Sequence, residues 1–297
     1  MRLAYYPGCT LKTNAKSFET SAIASAKALG VDLIELTRWN CCGTVHALAK
    51  DDVIHYIAPI RNLIRVEEMR DEGIIDENTV VTLCEMCFNT LKRANMEILK
   101  DGEKMRKVKE NMEGKDPSYQ GRVEVKHLLE VIRDIGWSNV RELVVRKLKG
   151  LKIVPYYGCL LLRPRGLGVD DPDNPTILES LIESLGGESV EIPFKSKCCG
   201  SYHTVHMEEV ASELSYRILS QAVEAEADLI ALACPLCSYN LGDRQGEIRK
   251  SFKGLEAIPV VYFTQLMAFA LGLPIELVGF SGNKPDPTEI LKERGLL

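Results

Sequence analysis

The chain lacks a basic excess: 37 lysines and arginines stand against 42 aspartates and glutamates, for a formal net charge of -5 at pH 7. A nucleic-acid surface needs the opposite balance, so nucleic acid is not expected as a partner. No apolar run reaches the roughly eighteen residues that a membrane-crossing helix needs, so membrane insertion is not expected either. The N-terminus passes from Met1 and Arg2 straight into a short apolar strand, without the apolar core of a secretory signal. These absences predict a soluble, cytoplasmic protein, in a compartment that keeps thiols reduced.

No cysteine is left over either, because all ten fall into two copies of one phrase: a lone Cys, an adjacent Cys-Cys-Gly, and a C-x-x-C. Copy one is Cys9, Cys41-Cys42-Gly43 and Cys84-Glu85-Met86-Cys87; copy two is Cys159, Cys198-Cys199-Gly200 and Cys234-Pro235-Leu236-Cys237. Five thiols per copy is an odd number, which internal disulfides cannot use up. Structural zinc closes with about four ligands and fits consecutive cysteines poorly. A thioredoxin-like dithiol explains the C-x-x-C and leaves the rest without a role. A polynuclear iron-sulfur cluster in each copy uses every sulfur, since such clusters select thiolate and adjacent cysteines can reach two metal ions.

Each phrase rides on a repeated α/β frame. Residues 3–6 and 152–157 read as strands that deliver Gly8-Cys9 and Gly158-Cys159. Helices over 18–29 and 176–185 follow, closed by Gly30 and by Gly186-Gly187, and a strand then leads to each Cys-Cys-Gly. Helices over 53–72 and 209–225 precede strands 79–83 and 229–233, which deliver the C-x-x-C pairs; each copy ends on a strand and helix, 123–135 and 259–271. This alternation predicts an α/β protein of two pseudo-symmetric lobes, 1–145 and 146–297, each an open, mostly parallel sheet with helices. Ligands of such sheets bind beyond the carboxyl ends of the strands, where the cysteines fall. Residues 100–122, dense in Lys and Glu, read as a solvated helix and loop, and 279–297, with Pro285 and Pro287, as an extended tail suited to a neighbour.

Other residues gather near the phrases. Gly43 and Gly200 are either ordinary loop glycines or the means of bringing backbone N–H groups to cluster sulfurs. His46 and His203 follow those glycines by three residues in both copies. They are either polar loop residues or groups that tune a cluster or relay a proton. His55, His127 and His206 lack that symmetry and are assigned no chemistry. Arg163, Arg165, Lys195 and Lys197 flank the second copy, either as surface charge or as an anion site for substrate.

The doubled phrase resembles the cysteine-rich B-type component of heterodisulfide reductase, which carries two CCG domains. The resemblance covers nearly the whole chain and includes Tyr5-Tyr6-Pro7-Gly8-Cys9, Trp39-Asn40-Cys41-Cys42-Gly43, Tyr157-Gly158-Cys159, Asp173-Asn174-Pro175-Thr176 and Cys234-Pro235-Leu236-Cys237. It implies two noncubane 4Fe-4S clusters, one on Cys9, Cys41, Cys42, Cys84 and Cys87, the other on Cys159, Cys198, Cys199, Cys234 and Cys237. It also implies cleavage of the coenzyme M–coenzyme B disulfide between them, and a complex with a flavin-containing A-type component and a ferredoxin-like C-type component. Gly43 where methanogen versions carry proline, Ser201-Tyr202-His203-Thr204 and Tyr157 place the chain closer to non-methanogen homologues. Two functions therefore stay open: reduction of that or a related disulfide, and electron transfer between partner oxidoreductases without a disulfide substrate of its own.

Overall fold

The fully buried stretch from Leu3 to Tyr6 makes β1 (Arg2–Tyr6) a central strand, since a parallel sheet covered on both faces reads as an unbroken apolar run. The structure, a computed structural model, describes residues 1–43, 53–112 and 117–297. After β1 come α1 (Gly8–Leu11), α2 (Lys16–Ala28), β2 (Asp32–Glu35), α3 (Ile54–Asp71), β3 (Thr79–Thr82), α4 (Glu85–Lys100), α5 (Gly102–Met112), β4 (Glu124–His127), α6 (Leu128–Ile135) and α7 (Trp137–Leu143). The second half repeats the plan with β5 (Lys152–Tyr156), α8 (Ile177–Ser184), β6 (Glu188–Ser189), α9 (Glu208–Glu224), β7 (Leu229–Leu232), α10 (Pro235–Ser238), α11 (Gln245–Ser251), β8 (Val260–Tyr262), α12 (Phe263–Ala270), α13 (Ile275–Val278) and α14 (Thr288–Glu293).

Two four-stranded parallel sheets result, in the orders β2-β1-β3-β4 and β6-β5-β7-β8. The chain leaves β1 to one side for β2 and returns to the other side for β3, which opens a crevice between the carboxyl ends of the two central strands. Cys9 follows β1 and Cys84 follows β3; Cys159 and Cys234 follow the matching strands β5 and β7. The α/β class and the two parallel sheets expected from the sequence are what the chain forms.

The halves pack on each other through equivalent helices, α2 on α12 and α8 on α6. Phe18 of α2, fully buried, stacks on Tyr262 with ring centroids 4.2 Å apart, and Ser21 Oγ lies 2.7 Å from Thr264 Oγ1.

Two expectations need correcting. Residues 100–122 are not merely solvated: α5 buries Val108 and Met112, one helical turn apart, while Lys107 and Glu103 pair on its outer side. The tail from 279 is not an extended arm for a neighbour. Phe280 packs on Phe269, Asn283 exchanges hydrogen bonds with Gln265, α14 buries Leu291, and Arg294 grips Asp228 at 2.6 and 3.1 Å. Asp228 precedes β7, so the tail ends at the amino end of that strand, away from the cysteines.

Candidate metal centre

In each half the sequence brings three strand ends together, and each delivers sulfur. Cys84 and Cys234 hold the N-cap positions of α4 and α10 in extended backbone, which aims the following C-x-x-C across the first helical turn. Cys42 Sγ lies 3.6 Å from Cys87 Sγ, and the matching pair, Cys199 Sγ and Cys237 Sγ, 3.3 Å apart. Those are distances of ligands sharing a centre, against about 2.05 Å for a disulfide bond. No disulfide joins any of the ten. The last three cysteines of each set are buried; Cys9 and Cys41 are exposed, and Cys159 and Cys198 partly so.

The thiols within each set shift one another's proton affinity. Hydrogen bonding to Cys42 and burial raise the Cys41 thiol, and Cys42 and Cys84 raise Cys87, whereas hydrogen bonds from Cys234 and Cys87 lower Cys84. In the second set Cys159 and Cys199 lower Cys198, helped by backbone N–H groups of Gly200 and Ser201, while Cys198 pushes Cys199 up to about 12. The sulfurs of each set therefore stand close enough to shift one another, and this all-sulfur donor set fits a soft metal centre.

The loops holding the adjacent cysteines are braced alike. Tyr6 Oη donates to the carbonyl of Asn40, just before Cys41, at 2.9 Å; Tyr156 Oη donates to the carbonyl of Lys197, just before Cys198, at 2.7 Å. Asn62 bonds Asn40 through both its amide atoms at 3.0 Å, while Ser215 and Asn240 donate to the carbonyl of Cys199 at 3.1 and 3.2 Å. Gly43 and Gly200 have φ of 82° and 85°, and the Gly200 N–H points at Cys198 Sγ from 3.3 Å. A Cβ at Gly200 would sit 2.9 Å from Ala211 Cα, so only glycine fits that turn.

The two sets also meet each other. Cys234 of the second half lowers the Cys84 thiol of the first, while burial and Cys84 raise that of Cys234. Between them lies Glu85, 2% exposed, with Oε1 3.3 Å from Cys237 Sγ and Oε2 accepting the Leu161 N–H at 3.1 Å. Burial pushes its carboxyl up to about 7. Asn89, one turn along α4, donates to the carbonyls of Leu160 and Arg163 at 2.9 and 2.6 Å, so the helix that starts with Cys84 also holds the loop after Cys159. The first set opens on a cavity of about 500 Å³ lined by all five of its cysteines and by Leu236 of the other half.

The remaining expected site residues fall as follows. His46 lies outside the described residues. His203 is exposed on the short turn Ser201–His203, and its ring makes no hydrogen bond among the described residues. Its neighbour Tyr202 stands near Cys159, Cys234 and Cys198 and also Cys42; burial and then those cysteines push its phenol up to about 12. The cations do not gather into an open anion site. Arg163 donates to the carbonyls of Ser196 and Pro172, Arg165 pairs with Asp171 and Asp173, and Lys195 is buried on Glu179 at 2.7 Å. Lys197, exposed, is the one of the four whose ammonium has no partner among the described residues.

Sequence reasoning missed Tyr6 and Tyr156, although both stand three residues before the lone cysteine. That spacing was the available signal. Glu85, Asn62, Asn89 and Asn240 carried none.

Comparison with known proteins agrees with the repeat. Residues 3–92 and again 153–242 match the CCG family, described as "Cysteine-rich domain". The chain belongs to the CCG family. A CCG relative, the 8-methylmenaquinol:fumarate reductase membrane anchor subunit of Wolinella succinogenes, is 34% identical over 294 residues, covering 97% of this chain and 98% of the relative. A protein of Archaeoglobus profundus named for its likeness to the B-type component of heterodisulfide reductase is 29% identical over 288 residues, covering 94% and 93%. In fold, a hypothetical protein from Helicobacter pylori superposes with a TM-score of 0.73 at 13% identity, over 95% of this chain and 51% of that one. Among the described residues no helix is long and apolar enough to cross a membrane.

Proposed function

We propose that the chain is the catalytic iron-sulfur component of a heterodisulfide reductase-type complex, reducing a small anionic disulfide at two noncubane 4Fe-4S clusters. The observation that carries this reading is the contact of Glu85, inside the first C-x-x-C, with Cys237 of the second, beside a cavity of about 500 Å³ at the first set. A disulfide takes two electrons and two protons to become two thiols, and the clusters, when bound, would supply the electrons. The chain supplies the rest. Leu236 and Ala58 give the cavity apolar walls, Tyr202 holds a phenolic proton near both sets, and Lys197 offers a positive charge beside Cys198. A flavin-containing component of the A type and a ferredoxin-like component of the C type would deliver electrons.

A second reading has its own support. The relative at 34% identity is named as part of a quinol:fumarate reductase, not of a disulfide enzyme. On that reading the two sets pass electrons between partner oxidoreductases and no disulfide binds.

Anaerobic purification, with iron, sulfide and zinc measured per chain and EPR spectra recorded with and without disulfides, separates them. About eight iron and eight sulfide, with a new paramagnetic signal on adding one disulfide, is the expected result. Full clusters indifferent to every disulfide would favour the electron-transfer reading, and zinc without sulfide would end both.

A further inference from the structure

We propose that Glu85 is a ligand of the second metal centre, reaching it across the interface between the halves, so that sulfur and one carboxylate oxygen hold that centre together. This rests on reading the cysteine sets as metal centres. Glu85 sits inside the first C-x-x-C, yet its side chain leaves its own set. Its carboxylate and the sulfurs of Cys234 and Cys237 offer ligand atoms that all lie within 4.8 Å of one another, and all three residues are buried. The other oxygen is pinned by the N–H of Leu161, two residues past Cys159, at 3.1 Å.

Position and donor chemistry decide between a ligand and a passive bracket. Glu85 is 2% exposed and no Lys, Arg or His pairs with it among the described residues; its partners are one backbone N–H and cysteine thiols. Carboxylate oxygen is a normal iron ligand alongside other donors, and this one already shares its place with two sulfurs. The second half makes room for it: a Cβ at Gly158 would sit 3.0 and 3.2 Å from the carboxylate oxygens and 3.4 Å from Cys237 Sγ. The matching position in the second C-x-x-C is Pro235, which has no ligand atom. The carboxylate is therefore given by the first half and received by the second, with no return.

Glu85→Gln tests this in the full-length protein, reconstituted anaerobically with ⁵⁷Fe. Glutamine keeps the volume and a carbonyl oxygen for the Leu161 N–H, and removes the anionic donor. The measurements are iron and sulfide per chain, the Mössbauer spectrum, and the rate of iron loss to a chelator. Expected is a changed spectrum for one centre only, with iron leaving that centre at least about tenfold faster. A spectrum superimposable on the wild type, at equal iron and sulfide, would overturn the proposal. So would a wild-type spectrum in Glu85→Gln beside a changed one in Glu85→Ala, which is the pattern of a hydrogen-bonding bracket. Wild-type protein that takes up no iron and sulfide overturns the metal reading itself, and is seen before any variant is compared.

Discussion

Tyr6 and Tyr156 each spend a buried phenol on a single carbonyl, the one immediately before the adjacent cysteines. Tyr156→Phe takes the phenol donor from the Lys197 carbonyl, and Tyr6→Phe leaves the Asn40 carbonyl with the Asn62 amide alone. Each is expected to lower stability by about 1–3 kcal/mol in denaturant unfolding, and to loosen metal in its own half alone. His127 makes a different prediction. Its Nε2 donates to Leu83 O at 2.7 Å and its Nδ1 accepts the Leu129 N–H at 3.2 Å, so the ring must stay neutral. Burial holds it down to about 4 from an ordinary 6.5. The unfolded chain therefore takes up a proton that the folded chain refuses. The stability contributed by the neutral ring is complete above pH 6.5 and falls away towards pH 4, by roughly 3 kcal/mol in all. Urea unfolding of wild type and His127→Gln across that window should show the wild-type advantage shrinking as pH falls, and parallel curves would refute it. At this scale the cysteines were legible because their chemistry is in their identity and order. Glu85 and Asn240 were not, because their roles exist only once distant segments meet.

α4 does two jobs: its first turn carries Cys84 and Cys87, and its next holds the Cys159 loop through Asn89. Asn89→Ala strips donors from two carbonyls and is expected to cost about 2 kcal/mol or more. Its effect on metal retention should fall on the second centre although the residue belongs to the first half, as metal analysis of the variant will show. On the other side of the interface, Phe18→Ala removes a fully buried ring stacked on Tyr262, a loss of about 3–5 kcal/mol by thermal or denaturant melting. The strands on either side of each cysteine phrase and the helices α2, α3, α6, α8, α9 and α12 were readable from apolar periodicity to within about two residues, whereas α4, which starts inside the first C-x-x-C, was not read. α5 was obscured because its many charges hid the spacing of Val108 and Met112, and the tail because prolines and short turns carry no period that tells a docked segment from a loose one.

For the molecule as a whole, the two sheets and the helices that cover them form a core of aliphatic and aromatic side chains in which the buried cysteines are a small part. Removing metal with a chelator should therefore leave the far-UV circular dichroism nearly unchanged while lowering the melting temperature; collapse of the spectrum would show that the core depends on the centres. The close sulfur pairs carry a last consequence. Cys42 with Cys87, and Cys199 with Cys237, stand 3.6 and 3.3 Å apart, a short slide from covalent contact. Metal-free protein exposed to air is expected to oxidise at these pairs first, losing two titratable thiols per half that a reductant restores, so that oxygen and metal compete for the same sulfurs.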